Sequence, residues 1–383
     1  MKKNGKSFVM GLLFLMFGFG LTVTMVAPLI SRVIADFSLT TAQGALISTF
    51  LSIGGLLAVG FTLLCADRLP KLPLHRGAYL LFSLALLCVA LSRGYYALLL
   101  LILAVGFGSK VVDILANPIL ADRFPAASGR YLNTMHMTLG IGACVGPMLL
   151  QLALDRGLSW RLAFAGIGGL CLLLMLLSIV LMRGAPETAA AASRAAEGRL
   201  DWGVIVPLCL TTFFYQGHQI IVNTWGPMYC ERALGLSGTF ASLSTTALWA
   251  GIIISRFLGA RYVKPERTVS IAAWGNLIGG AALIGGVLSG MPVVVMAGLM
   301  ISGVCSGAVI PMVVAYLCGL YPKATGRVTS VVFLTLVAAP MVFPWMTGKI
   351  ADIWGFMPAM LVSGAALLAA AACAAVTGLP RRT

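Results

Sequence analysis

The sequence predicts an all-α membrane protein with twelve transmembrane helices in two six-helix halves related by a pseudo-twofold. Three observations predict it. Hydrophobic residues fill 60% of the 383 positions and charged residues only 10%, against about a quarter charged in soluble domains. The apolar residues fall in runs of roughly 20, enough for a helix to cross a bilayer with its backbone polar groups satisfied internally. The stretch FPAASGR at Phe124–Arg130 returns, lightly edited, as YPKATGR at Tyr321–Arg327.

Taken in order, the spans fall near 8–30, 43–65, 77–92, 95–121, 131–154 and 160–182, then 203–230, 239–261, 268–289, 293–317, 328–347 and 356–378. The first follows MKKNGK and is too long for a signal-peptide core, so it is expected to stay as an anchor. Between the sixth and seventh runs lies the Ala-rich polar stretch Arg183–Asp201. It divides an N-terminal half, residues 1–182, from a C-terminal half, residues 203–383, with a cytoplasmic linker at 183–202. The halves keep register at an offset of 197: Gly106 with Gly303, Pro147 with Pro344, Asp155 with Asp352. Parallel repeats of this kind enclose a central site near the bilayer midplane.

The net charge of +15 is read as a topology signal. With the N-terminus inside, nineteen of the 26 Lys and Arg fall in inside segments, Arg256 and Arg261 among them, and six fall outside. Lysine and arginine concentrate on the cytoplasmic side, so both termini are expected there, in a bacterial inner membrane. No nucleic-acid partner is needed: no basic domain exists, and GFGSK at Gly106–Lys110 lacks the phosphate-loop spacing. The nine cysteines are scattered without a C-x-x-C and read as small hydrophobes. No metal site and no cofactor are expected. Lacking a nucleophile–base pair, a metal-ligand cluster or a sensing domain, the chain is not expected to be an enzyme or a receptor.

Charges within spans mark function, because each costs at least about 2.5–3.5 kcal/mol at a helix centre. Lys110, Asp113 and Asn117 lie at i, i+3 and i+7 and share one helix face, expected to line the central cavity; the alternative is a structural Lys–Asp pair between helices. An anionic substrate drawing Lys110 away would leave Asp113 ready to take a proton. His136, three residues after Asn133, and His218 are candidate proton relays, or satisfied interhelical residues. Tyr215, Gln219 and Asn223, at i, i+4 and i+8, form a polar stripe on the seventh span that is expected, with Asn133 and His136, to line the cavity and bind substrate; the alternative for the stripe is a polar helix interface. Trp249 and Trp225 are candidates to stack on a substrate ring, or packing residues. Thr22 and Thr24 could contact substrate or bond their own backbone. Pro118, Pro147, Pro311, Pro340 and Pro344 interrupt helices and are expected to bend them.

The loop LLCADRLPKLPLHR keeps, at Asp67 and Arg68, part of the pattern between spans 2 and 3 of the major facilitator superfamily, which the whole chain resembles. Val111–Pro147 and YQGHQIIVNTW at Tyr215–Trp225 resemble the fucose–proton symporter family more narrowly. Asp113, Asn117, Pro118, Gly129, Arg130, Asn133, Gly140, Gly142, Gly146 and Pro147 carry that likeness, with Tyr215, Gly217 and Trp225. The chain departs from the family at Thr24 and Gln219, where acids are expected, and at Lys110. The resemblance implies the major facilitator fold and a secondary active transporter working by alternating access. Its expected substrate is a small polar metabolite: sugar-like, an organic acid or a zwitterion. The driving force is a proton gradient, with sodium as the alternative. Asp67, Arg68, Arg130 and Arg327 would act in the cytoplasmic gating loops. Lipid bilayer and small-molecule substrate are the expected partners, and the chain is expected to be a monomer. GACVGP at Gly142–Pro147 partly resembles the drug–proton antiporter signature. It supports the alternative, an exporter of drugs or of a cell-made metabolite such as a siderophore-like acid.

Overall fold

The computed structural model describes residues 3–23, 32–39, 41–183 and 200–378, with the backbone alone at several positions, Pro147 and Asp155 among them. Thr24 and Pro28 lie outside the described residues, as does most of the expected linker.

The first helices are α1 (Lys3–Val23), α2 (Thr41–Cys65), α3 (Lys71–Leu91), α4 (Tyr95–Arg123), α5 (Ser128–Asp155) and α6 (Trp160–Leu181). There follow α7 (Trp202–Arg232), α8 (Gly238–Tyr262), α9 (Thr268–Ser289), α10 (Pro292–Ser306) and α11 (Val309–Leu320). The chain ends on α12 (Thr325–Trp354) and α13 (Phe356–Gly378). Eleven helical spans among the described residues are long and apolar enough to cross a membrane. The fifth expected span forms helix α5, whose C-terminal side chains fall outside the description. The tenth differs from expectation in one respect: it is split into α10 and α11 at Gly307–Ala308.

Contacts gather the helices into two compact units. Unit 1 comprises Met1–Tyr131, Met135–Glu197 and Pro322–Ser330; unit 2 comprises Leu132–Thr134, Gly198–Tyr321 and Val331–Thr383. Within unit 1, α4 packs on α2 and α3, and α6 on α3 and α1. Within unit 2, α10 packs on α8 and α9, and α13 on α9 and α7. These are the same four pairings, one set per half.

Glycines set the closeness of the first pairing, and they obey the offset of 197. A Cβ on Gly54 would strike the Leu103 carbonyl oxygen, and one on Gly106 the Leu51 carbonyl oxygen. In unit 2 the same collisions would occur between Gly251 and Met300 and between Gly303 and Leu248. All four pairs of positions are 197 apart. Without a hydrophobic drive between helices in lipid, such backbone approach supplies the packing energy. The α1·α5 pairing is less symmetric. Gly20, Gly142 and Gly146 bring backbones together in unit 1, whereas in unit 2 the place of Gly146 is taken by Phe343, whose ring lies on Gly217.

Polar contacts fix the helix ends of unit 1. The Asp67 carboxylate accepts the backbone N–H groups of Gly326 and Arg327, each at 2.8 Å, at the start of α12. A carboxylate there meets both unpaired donors and the positive end of the helix dipole. Lys71 donates to Asp122 at 2.6 Å and to Thr325 at 2.8 Å. Ser330 donates to Thr62 at 3.0 Å. At another corner Arg161 pairs with Asp36 and reaches the Ser92 carbonyl. Its hydrogen bond holds the Asp36 carboxyl below the ordinary carboxylate range.

Replacing Gly106 with Ala is expected to cost about 1–3 kcal/mol through overpacking. Gly60→Ala, where a Cβ would meet nothing within 4 Å, should leave stability unchanged or raise it. Thermal unfolding of the two purified variants in one detergent checks the opposite signs. Asp67→Ala should remove about 1–2 kcal/mol by uncapping α12, seen as a lower midpoint and faster hydrogen exchange at Gly326 and Arg327.

Candidate functional site

In unit 1 the polar residues of α4 do meet. Lys110 Nζ lies 3.0 Å from Asp113 Oδ2, one turn away on the same helix. The Asp113 side chain keeps 11% of its surface and that of Lys110 26%, so the pair is largely withdrawn from solvent. Pro118 removes the N–H that would serve the Ile114 carbonyl. Asn117, fully buried, donates from Nδ2 to the Asp113 carbonyl at 2.7 Å and reaches the Ile114 carbonyl at 3.5 Å. Its Oδ1 faces His136 Nε2 on α5 at 3.0 Å. Lys110 and Asp113 thus pair through their side chains, and Asn117 links the Asp113 backbone carbonyl on α4 to His136 on α5.

The residues of the seventh span have separate surroundings. His218 is fully buried, with Nδ1 2.8 Å from Ser363 Oγ on α13 and Nε2 3.5 Å from Ser302 Oγ on α10. Both ring nitrogens thus face serines of other helices. Asn223 Oδ1 accepts the Trp249 indole N–H at 3.1 Å, which joins two of the expected binding residues. Trp225 donates to Thr347 at 2.9 Å. Gln219 is buried, and Tyr215 is buried with its hydroxyl lacking a hydrogen-bond partner among the described residues. Asn133 is fully buried; its Oδ1 would lie 2.8 Å from a Cβ on Gly259. Thr22 bonds the Phe19 carbonyl of its own helix. Arg68, Arg130 and Arg327 are exposed. Among the described residues no three His, Cys, Asp or Glu gather as a metal site would require.

One residue of the site escaped the sequence reading. Arg256, counted there among the inside-loop cations, lies well within α8 and is only 5% exposed. Its position follows from the split tenth span. Pro311 has no N–H for the Gly307 carbonyl, and that carbonyl accepts Arg256 Nε at 3.3 Å. The neighbouring Ser255 Oγ accepts the Ala308 N–H at 3.0 Å. Two consecutive residues of α8 thus satisfy the carbonyl and the N–H released at the break. Offset by 197, Gly307 is the counterpart of Lys110. Each unit places a cation at the same level of its own repeat, by a different residue. The sequence signal was present: Pro311 four residues after Gly307, and an arginine before the end of the eighth apolar run.

Comparison with known proteins fits this organisation. The sequence profile described as Major Facilitator Superfamily matches residues 12–273 and 208–383. The chain is 23% identical over 344 residues to the uncharacterized MFS-type transporter YfkL of Bacillus subtilis, covering 85% of this chain and 84% of the relative. It is 24% identical over 371 residues to the inner membrane transport protein YdiN of Escherichia coli, covering 90% and 84%. The fold is similar to that of the Escherichia coli fucose:proton symporter, with a TM-score of 0.77 at 15% identity over 97% of this chain and 98% of that one. With its two repeats of paired helices and a profile match over nearly its whole length, the chain belongs to the major facilitator superfamily of membrane transporters.

Proposed function

We propose that the chain is a proton-coupled secondary transporter that moves a small organic acid or zwitterion by alternating access. The observation that supports this reading is the 3.0 Å Lys110–Asp113 pair inside α4, continued through Asn117 to His136. Paired, the carboxylate and the ammonium sit 3.0 Å apart within one helix. When an anionic group draws Lys110 away, Asp113 is left as a charge in a poorly solvated place and takes a proton. Substrate and proton then load together, and His136 is the group through which the proton enters or leaves. Neither a neutral sugar nor a substrate without negative charge would operate this pair. Direction follows the imposed gradients. The basic residues support cytoplasmic termini in a bacterial inner membrane, and release of Asp67 from the start of α12 is the proposed gating step.

His218 has a different part in this scheme. Serines on α10 and α13 face both its nitrogens, so it holds helices of unit 2 together and does not carry the proton.

In proteoliposomes bearing a pH-sensitive dye, adding a transported organic acid should elicit proton flux, and Asp113→Asn should reduce that flux to background. Unchanged pH dependence in the variant would sink the coupling scheme. Ser363→Ala, which removes the Nδ1 partner of His218, should lower stability by about 1–3 kcal/mol while flux per folded molecule stays the same. A changed pH profile in that variant would instead make His218 part of the proton route.

A further inference from the structure

In a neutral imidazole one ring nitrogen carries a hydrogen and the other a lone pair, and the surroundings decide which. We propose that Asn117 is a positioning residue that fixes His136 as its Nε2–H tautomer, so that Nδ1 is the atom at which the ring gains and loses a proton. This rests on the transport reading above and deepens it by naming the atom that exchanges.

The choice is made on α4. Asn117 is fully buried, and its amide has two ends of opposite kind: Nδ2 only donates and Oδ1 only accepts. Nδ2 lies 2.7 Å from the Asp113 carbonyl oxygen and 3.5 Å from that of Ile114. Both are acceptors, and the Ile114 carbonyl is the one that Pro118 leaves without its helical donor. Turned over, the amide would set Oδ1 against two carbonyl oxygens, acceptor on acceptor, in a fully buried place. Nδ2 therefore stays on the backbone, and Oδ1 stays toward α5, 3.0 Å from His136 Nε2. An oxygen that only accepts requires a hydrogen on that nitrogen.

His136 is itself only 6% exposed, so Nε2 has no solvent to turn to instead. With the hydrogen on Nδ1, two bare acceptors would face each other at 3.0 Å. The requirement holds in both charge states. In the neutral ring Nε2–H donates to Asn117. When the Nδ1 lone pair takes a proton, the ring becomes imidazolium and the same Nε2–H bond is strengthened by the charge. On release the hydrogen leaves from Nδ1, whatever that atom meets, and Nε2 keeps its own. Asn117 has no titratable group and gives its hydrogens to backbone carbonyls. It orients the ring and passes no proton to Asp113.

The repeat marks these residues as one set. At the offset of 197, Lys110, Asp113, Asn117 and His136 correspond to Gly307, Ile310, Val314 and Phe333. None of the four has a polar counterpart. Ile310, Val314 and Phe333 are buried, so the second half keeps apolar packing where the first has the linked polar side chains. Within unit 1 the helices that meet α5 are α4 and α1. The first brings the charges of Lys110, Asp113, Asp122 and Arg123, and the second has none between Ser7 and Val23; α5 itself carries Arg130.

Nitrogen NMR of the purified full-length protein, isotopically labelled at histidine, tests the assignment. The chain has three histidines, and His136→Gln identifies the ring signals that belong to this one. At alkaline pH His136 should show a protonated Nε2 and a bare Nδ1, as a single tautomer. On acidification Nδ1 should change from the bare to the protonated type while Nε2 keeps its hydrogen. Asn117→Leu removes the acceptor at similar volume, and both tautomers should then be present. Asn117→Asp returns an acceptor and should return the ring to Nε2–H, a rescue that a purely packing role would not produce. A bare Nε2 or a tautomer mixture in the unaltered chain would overturn the assignment, and that measurement depends on no variant's folding. A single Nε2–H tautomer persisting in Asn117→Leu would overturn it as well. Acid-elicited proton flux that persists in Asp113→Asn, beside a single Nε2–H tautomer in the unaltered chain, would overturn the coupling scheme and leave this assignment standing.

Discussion

In hydrocarbon, a backbone carbonyl without a donor cannot turn to water, so every proline in a spanning helix creates a debt that a neighbour must meet. Much of the polar architecture here depends on that constraint. Pro118 leaves the Ile114 carbonyl short, and Asn117 reaches it at 3.5 Å while bonding the Asp113 carbonyl at 2.7 Å. Asn117 is thereby fixed with its oxygen toward His136. Pro311 leaves the Gly307 carbonyl short, and Arg256 is the donor that reaches it. In both cases a gap in the helical ladder is met by a buried polar side chain.

Rigid placement also needs helices that cannot slide. The glycines at 54, 106, 251 and 303 bring backbone against backbone, where no side chain can adjust. Their spacing sets the same close helix pairing in both halves. Where one half could relax its packing it did so: Gly20 and Gly146 meet backbone, while Gly217 receives the ring of Phe343. Conserved closeness near Lys110 and Gly307, with divergence elsewhere, leaves two equivalent frames able to hold different chemistry.

The spans, the repeat and the Lys110–Asp113 contact were legible in the sequence, since each rests on short-range spacing: runs of about 20 residues, a fixed offset, and an i, i+3 pair. Arg256 was not, for a physical reason. A topology count assigns every arginine near a span end to a loop, because charges are assumed to leave the bilayer. The partner that lets this one stay is a carbonyl 51 positions away, exposed by a proline, and periodicity does not report it. His218 was ambiguous for the same reason, as its serine partners lie 84 and 145 positions distant. A polar stripe shows which residues share a face; what covers that face is decided by tertiary packing.

The two cations have equivalent places but unequal partners: Lys110 meets the Asp113 carboxylate, and Arg256 meets the Gly307 carbonyl. Lys110 is paired with an aspartate one turn away on its own helix. Arginine, by contrast, keeps its proton at any physiological pH. A lysine in the apolar setting of Arg256 could lose its proton on burial, and an arginine at Lys110 would clamp Asp113 through a bidentate contact too strong to be drawn apart. The duplication thus supplied two copies of one frame, and Lys110, Asp113 and Arg256 are residues that break its symmetry.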